Sequence, residues 1–139
     1  MKRTILPLMF VLFSAVAFAG DDWKSYFKNN EVEILYRKAD CNDDANGIHQ
    51  QKVLLKVVNL QNKKVEVFYT KELTFSKAEA AASAPDVREF SVTLEPNATV
   101  EGDCKVRDNR LFIFSKHLNF NGTELKKFDL KNISVKHIQ

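Results

Sequence analysis

The chain has 139 residues, 21 of them basic and 18 acidic, for a formal charge of +3. That length sets one domain with a core of moderate size, too small for a large core and a deep cofactor cleft together. The basic residues are scattered, in pairs such as Lys63-Lys64 and Lys126-Lys127, so the basic patch or stripe of a nucleic-acid binder is missing.

The chain opens MKRTILPLMFVLFSAVAFAG. Lys2 and Arg3 precede an apolar run over residues 5–18, and Ala17 and Ala19 fit a small-x-small cleavage site before Gly20. This is the pattern of a secretory signal peptide over residues 1–19. The run is shorter than the roughly 20 apolar residues of a membrane span. Cleavage would remove two basic residues and leave a nearly neutral chain, 19 basic against 18 acidic. The expected location is secreted or periplasmic, and residues 20–139 form the working domain. No membrane span is expected after cleavage.

Residues 20–30, GDDWKSYFKNN, are polar with three aromatics. Trp23, Tyr26 and Phe27 are expected to cover one end of the core on a short helical turn; the rival is an exposed aromatic patch. EVEILYRK then alternates, with Val32, Ile34 and Tyr36 on one face, and period two marks a strand. DCNDDANG at 40–47 reads as a turn, because Asx side chains cap turns and Gly47 permits positive φ. QKVLLKVVNL is apolar on both faces and reads as a central strand. QNKK is a turn, and KVEVFYTKELTF resumes alternation through Val65, Val67 and Tyr69. SKAEAAASAPD has helix-forming alanines but no apolar stripe, so a loop or one short helix ending at Pro85 is expected. Phe90, Val92 and Leu94 mark the next strand. EPN is a turn, TVEG a short edge segment, LFIFSKHL a strong strand and NFNG a turn. The last stretch supplies one or two closing strands with Leu125, Phe128, Leu130, Ile133 and Val135 inward.

Six to eight short strands without interleaved amphipathic helices predict an all-β antiparallel β-sandwich, with a small barrel as the alternative. The architecture is immunoglobulin-like, but the immunoglobulin Cys-Trp-Cys core is lacking: Trp23 is the only tryptophan and precedes both cysteines.

Cys41 and Cys104 are the only cysteines. In an exported chain the preferred reading is a structural disulfide. Redox chemistry lacks the CxxC spacing. Catalysis would need one of His49, His117 or His137 beside a thiol. A zinc site lacks close ligand pairs.

Asn42, Asp44, Asn46 and Gly47 resemble the start of an EF-hand loop, but its closing glutamate position holds Val53. A different calcium site would draw on Asp40, Asp43 and Asp44; no metal is predicted. No phosphate-binding glycine loop, HExxH or GxSxG occurs, and no catalytic residue or cofactor is assigned. NAT at 97–99, NGT at 121–123 and NIS at 132–134 match the glycosylation acceptor pattern, a weak signal in an Asn-rich chain.

The segments DCNDDANGIHQQKVLLKVVN, VTLEPNATVEGDC and LFIFSK resemble small exported proteins of Bacteroidota. The corresponding residues are Cys41, Asn42, Asp43, Asn46, Gly47, Asn59, Pro96, Gly102 and Cys104. The resemblance implies export, a β-rich fold and the disulfide, and carries no activity.

The leading functional reading is a non-enzymatic extracytoplasmic domain that binds a protein or glycan partner or serves a structural role. A carbohydrate-binding module or adhesin is the first alternative, with Trp23, Tyr26, Tyr69 and the 40–47 loop as candidate contacts. An inhibitor or immunity-like protein inserting the loop at 78–85 is the second.

Overall fold

The computed structural model describes residues 22–76, 84–105 and 107–139. The signal-peptide reading of residues 1–19 and most of the alanine-rich segment lie outside them.

Eight strands run β1 (Lys24–Lys28), β2 (Val32–Asp43), β3 (Ile48–Asn59), β4 (Val65–Ser76), β5 (Asp86–Leu94), β6 (Thr99–Glu101), β7 (Phe112–His117) and β8 (Glu124–His137). They form two antiparallel sheets. The five-stranded sheet is ordered β1-β2-β3-β6, with β7 also paired to β3; the three-stranded sheet is ordered β5-β4-β8. The fold is thus the expected all-β sandwich.

Alternation places one face of each sheet in the core. Val32 and Ile34 from β2, Val53, Leu55 and Val57 from β3, Val65, Val67 and Tyr69 from β4, and Val92 and Leu94 from β5 are all buried. Burying each such side chain contributes about 1.5–3 kcal/mol. Leu125, Phe128, Leu130, Ile133 and Val135 of β8 join this cluster or pack against it. They do so although their spacing is not strictly two. The β4–β8 register shifts between Thr74 and Phe75 and again between Phe68 and Thr70, and Asn132 takes φ +53° near the second shift. Bulges keep one 14-residue strand in phase with the core.

The structure differs from the sequence reading at the N-terminus. Tyr26 and Phe27 lie on a strand, not a helical turn. The β1–β2 register shifts between Ser25 and Phe27, and both rings pack against the core. The Tyr26 hydroxyl accepts the Leu130 N–H of β8 at 2.9 Å, which ties the edge of one sheet to the other.

The tip at 40–47 is shorter than expected. Pairing between β2 and β3 continues to Asp43 and Ile48, so Cys41 lies inside a strand. One 3-10 turn, Asp44–Asn46, closes the hairpin, and Gly47 takes φ +65°. Asp43 accepts the Asn46 backbone N–H at 3.4 Å and its side-chain amide at 2.8 Å. Asn42 Oδ1 and His49 Nδ1 are 3.0 Å apart, and Gln51 donates to Asp40 at 3.2 Å. The Asx residues of this stretch are therefore hairpin parts.

Asn59 and Pro96 fasten the opposite end. Buried Asn59 donates to the carbonyls of Lys63 at 2.7 Å and Glu95 at 3.0 Å, and accepts the Gln61 N–H at 3.0 Å. Ala98 N–H closes on Glu95 O at 3.1 Å. Asn97 has φ +55°, as the third position of a type II turn after proline requires.

Candidate functional site

Cys41 and Cys104 are bonded, with Cα atoms 5.2 Å apart. The bridge joins β2 to the segment after β6. Only the Cys41 end lies in a strand; Cys104 sits in the connection between β6 and β7, two strands of the same sheet, so the bridge clips that connection to its own sheet rather than linking the two layers. Neither sulfur is a thiol, and none of the three histidines meets the Cys–His expectation. His49 sits against Asn42 at the hairpin tip, and His137 Nε2 lies 3.3 Å from Glu31 Oε2. His117 lies tilted against Phe114 and stacks on Phe120. Among the described residues, no three His, Cys, Asp or Glu side chains converge as metal donors.

The outward face of the five-stranded sheet carries the most distinctive surface. Strand register places Arg37, Leu54 and Phe112 side by side, with Lys52 paired to Phe114 and Lys56 to Leu35. Paired residues share a face, so these side chains point away from the core. Trp23 lies across them, its ring centroid 5.0 Å from the Arg37 guanidinium and 4.5 Å from Lys56 Nζ. Lys52 Nζ sits 4.4 Å from the Phe112 ring. Under this cover Leu54 has no exposure although it points outward. Such cation–ring contacts contribute about 0.5–1 kcal/mol at exposed sites and more when desolvated.

A bulge extends the row. Pairing passes from Gln51 with Lys116 to Lys52 with Phe114, leaving Ser115 as the extra residue. Strict alternation from Phe112 would send His117 to the core face. The bulge sets it opposite Gln50 instead, on the face of Phe112 and Phe114. Its ring is 5.0 Å from Phe114 and 4.1 Å from Phe120, stacked on the latter. Phe120 is 57% exposed. Beside this pair opens a hollow of about 930 Å³ whose lining includes Lys116, Asn119, Asn121, Thr123 and Lys126. At the disulfide, a groove of about 640 Å³ touches the same face through Lys52.

A second feature lies between the sheets. Lys71 follows Val65, Val67 and Tyr69 in the inward phase of β4 and is only 3% exposed. Its ammonium donates to the carbonyls of Asn109 and, at 3.0 Å, Phe112, and lies 4.3 Å from the Phe90 ring. Desolvation lowers its pKa to about 8, and nearby Asp108 opposes that shift. Tyr69 donates to Arg110 O at 2.5 Å, and burial raises its phenol well above the ordinary range. The two side chains clamp the turn at 108–111 from below. Asp108 and Arg110 pair within that turn, Nη2 to Oδ2 at 2.6 Å. Hydrogen bonds from Arg110 hold the Asp108 carboxyl below its usual value.

The candidate contacts read from sequence are not brought together. Trp23 is on the outward face, Tyr26 bridges the sheets, and Tyr69 is a core residue with its hydroxyl bonded internally. The 40–47 stretch is a hairpin tip. The loop at 78–85 lies mostly outside the described residues. Phe112, Phe114 and Lys71 were not singled out by sequence, and His117 was weighed only as a base beside a thiol. The two phenylalanines looked like core residues of a strand apolar on both faces, and the one available signal for Lys71 was a charge in phase with core positions.

Comparisons with protein families, with curated proteins and with solved structures find no match for this chain. No helix among the described residues is long and apolar enough to cross a membrane.

Proposed function

We propose that the chain is an exported, non-enzymatic binding domain that presents the outward face of its five-stranded sheet to a ligand. The observation that carries this reading is the ring series Trp23, Phe112, Phe114, His117 and Phe120, interleaved with Arg37, Lys52 and Lys56. Flat rings offer large contact area at low entropy cost, and the cations select for negative or electron-rich groups. The disulfide supports an oxidising location, in keeping with the leader-like start of the sequence.

Within this class a carbohydrate ligand is favoured over a protein target. The hollow beside His117 and Phe120 combines stacked rings with Asn119, Asn121 and Thr123. Rings that stack on sugar faces and amides that bond hydroxyls are what sugar recognition demands. The sandwich fold by itself selects no partner.

The test is binding of the mature protein to an array of neutral, uronic-acid and sulfated glycans, alongside Phe120→Ala and Phe114→Ala. Selective binding lost in both variants, with unfolding transitions retained, is the expected result. Binding undiminished in both removes the face from the site, and silence across the array overturns the carbohydrate reading.

A further inference from the structure

Lys71 opens onto a second cavity. Successive inward positions of β4 supply Lys71, Leu73 and Phe75; Arg88 of β5 pairs with Lys71, and Phe90 pairs with the preceding inward residue, Tyr69. Across the gap stands β7, with buried Ile113 facing inward and the rings of Phe112 and Phe114 on its far side, and Asn109 lies alongside. Together they enclose a cavity of about 170 Å³ between the open ends of the two sheets. Arg88 is exposed and marks the rim; Lys71 is buried and forms the floor.

The electrostatics of this cavity are lopsided. Buried charges are ordinarily paired. Among the described residues no carboxylate forms an ion pair with Lys71; carbonyl oxygens and the Phe90 ring are its company. At the rim, Asp86 is engaged by Arg88 at 3.3 Å. The remaining walls are aromatic and aliphatic. A mostly apolar cavity with a few convergent polar groups is the usual form of a small-molecule site.

We propose that this cavity binds a small monocarboxylate with an apolar or aromatic body, its carboxylate directed at Lys71 and Arg88 and its body against Leu73, Phe75 and Phe90. The carboxylate supplies a counter-charge in direct contact, where Asp108 acts on the ammonium only from a distance. The volume lies below the about 300–1,000 Å³ of sites for drug-sized ligands, which restricts the ligand to the size of benzoate or a short fatty acid. The lowered pKa of Lys71 accords with an ammonium held in a poorly solvated place.

The test compares benzoate with its neutral isostere benzamide on the disulfide-bonded mature protein at about pH 6.5, where the ammonium is charged. Ligand-observed NMR and amide shift mapping report affinity and place. Benzoate is expected to bind at least about tenfold more tightly than benzamide, as charge-assisted hydrogen bonds allow, with shifts centred on residues 71–75 and 88–90. Lys71→Met should erase that preference while leaving benzamide affinity within about twofold. Arg88→Gln, at an exposed rim position, should reduce the preference severalfold and serves if the Met variant fails to fold. Equal affinity for the two probes, no saturable benzoate binding, or shifts confined to the outward face of the five-stranded sheet would each overturn the proposal.

Discussion

Replacing Lys71 by methionine gives a stability difference whose pH dependence can be worked out beforehand. The ammonium has an ordinary pKa of 10.5 that burial lowers to about 8 in the folded chain. Each unit corresponds to about 1.4 kcal/mol, so keeping the charge inside costs roughly 3 kcal/mol. Below pH 8 both folded and unfolded chains hold the proton, and the cost is fully present. Between 8 and 10.5 the unfolded chain binds more protons than the folded one, so stability rises with pH. The groups facing Lys71 bear on the usable window. Asp108 stabilises the ammonium and is included in its shift; Arg110 is engaged with Asp108, and Asp86 with Arg88. Tyr69 acts in the opposite sense. Its phenol is raised by burial, so stability is lost as pH climbs past about 10. The informative range is therefore pH 7 to 10. Urea unfolding followed by circular dichroism, on wild type and Lys71→Met, should show wild type gaining roughly 2–3 kcal/mol on the variant across that range. The absolute difference at pH 7 also contains the bonds lost to Asn109 O and Phe112 O, so the slope is the readout. Parallel curves, agreeing to within about 0.5 kcal/mol at every pH, would refute the buried-ammonium argument.

Three further outcomes follow from the geometry. Replacing Cys41 and Cys104 together by alanine frees a loop with a sequence separation of 63; the chain-entropy estimate is a loss of up to roughly 4 kcal/mol, measurable by urea unfolding. Gly102→Ala should cost more than about 2 kcal/mol, because its new Cβ would lie 2.2 Å from Leu111 O, an atom already bonded to Leu55 N–H at 2.9 Å; an unchanged melting temperature contradicts this. Asn59→Ala removes three internal bonds at a buried position and should lower stability by about 3 kcal/mol, with amide exchange accelerating first at 60–64 and 95–98.

The sandwich was legible because period two survives in most strands. Val32 with Ile34, Val65 with Val67, and Val92 with Leu94 announce their faces directly. The disulfide was legible because the chain holds one pair of cysteines, without CxxC spacing, behind a leader-like start. What the sequence concealed depends on register. The bulge at Tyr26 interrupts alternation in β1, so a strand looked like a helical turn. Ser115 silently moves His117 from one face to the other. Trp23 finds Arg37 and Lys56 only once β2 and β3 have paired, and nothing in the local sequence foretells that contact. Tyr69 looked like a sugar-facing aromatic, but its even phase with Val65 and Val67 was the better guide. Lys71 shares that phase, and its charge drew attention away from it. Of the stretch at 40–47 only residues 44–47 form the turn; residues 40–43, Cys41 among them, stay in β2 because Asx residues at a hairpin's end can pair as well as cap.

The central claim is that ligand is held on the outward face of the five-stranded sheet, and the sole tryptophan gives it a direct reporter. A ¹⁵N-labelled mature chain would be titrated with the neutral, uronic-acid and sulfated oligosaccharides, following the single indole N–H signal of Trp23 together with the amides of β7. The account predicts saturable shifts at Trp23 and over Phe112–His117 with one of these classes, while β5 and β8 stay still. Shifts gathered on β5 and β8, or an indole signal unmoved by every oligosaccharide, would contradict it.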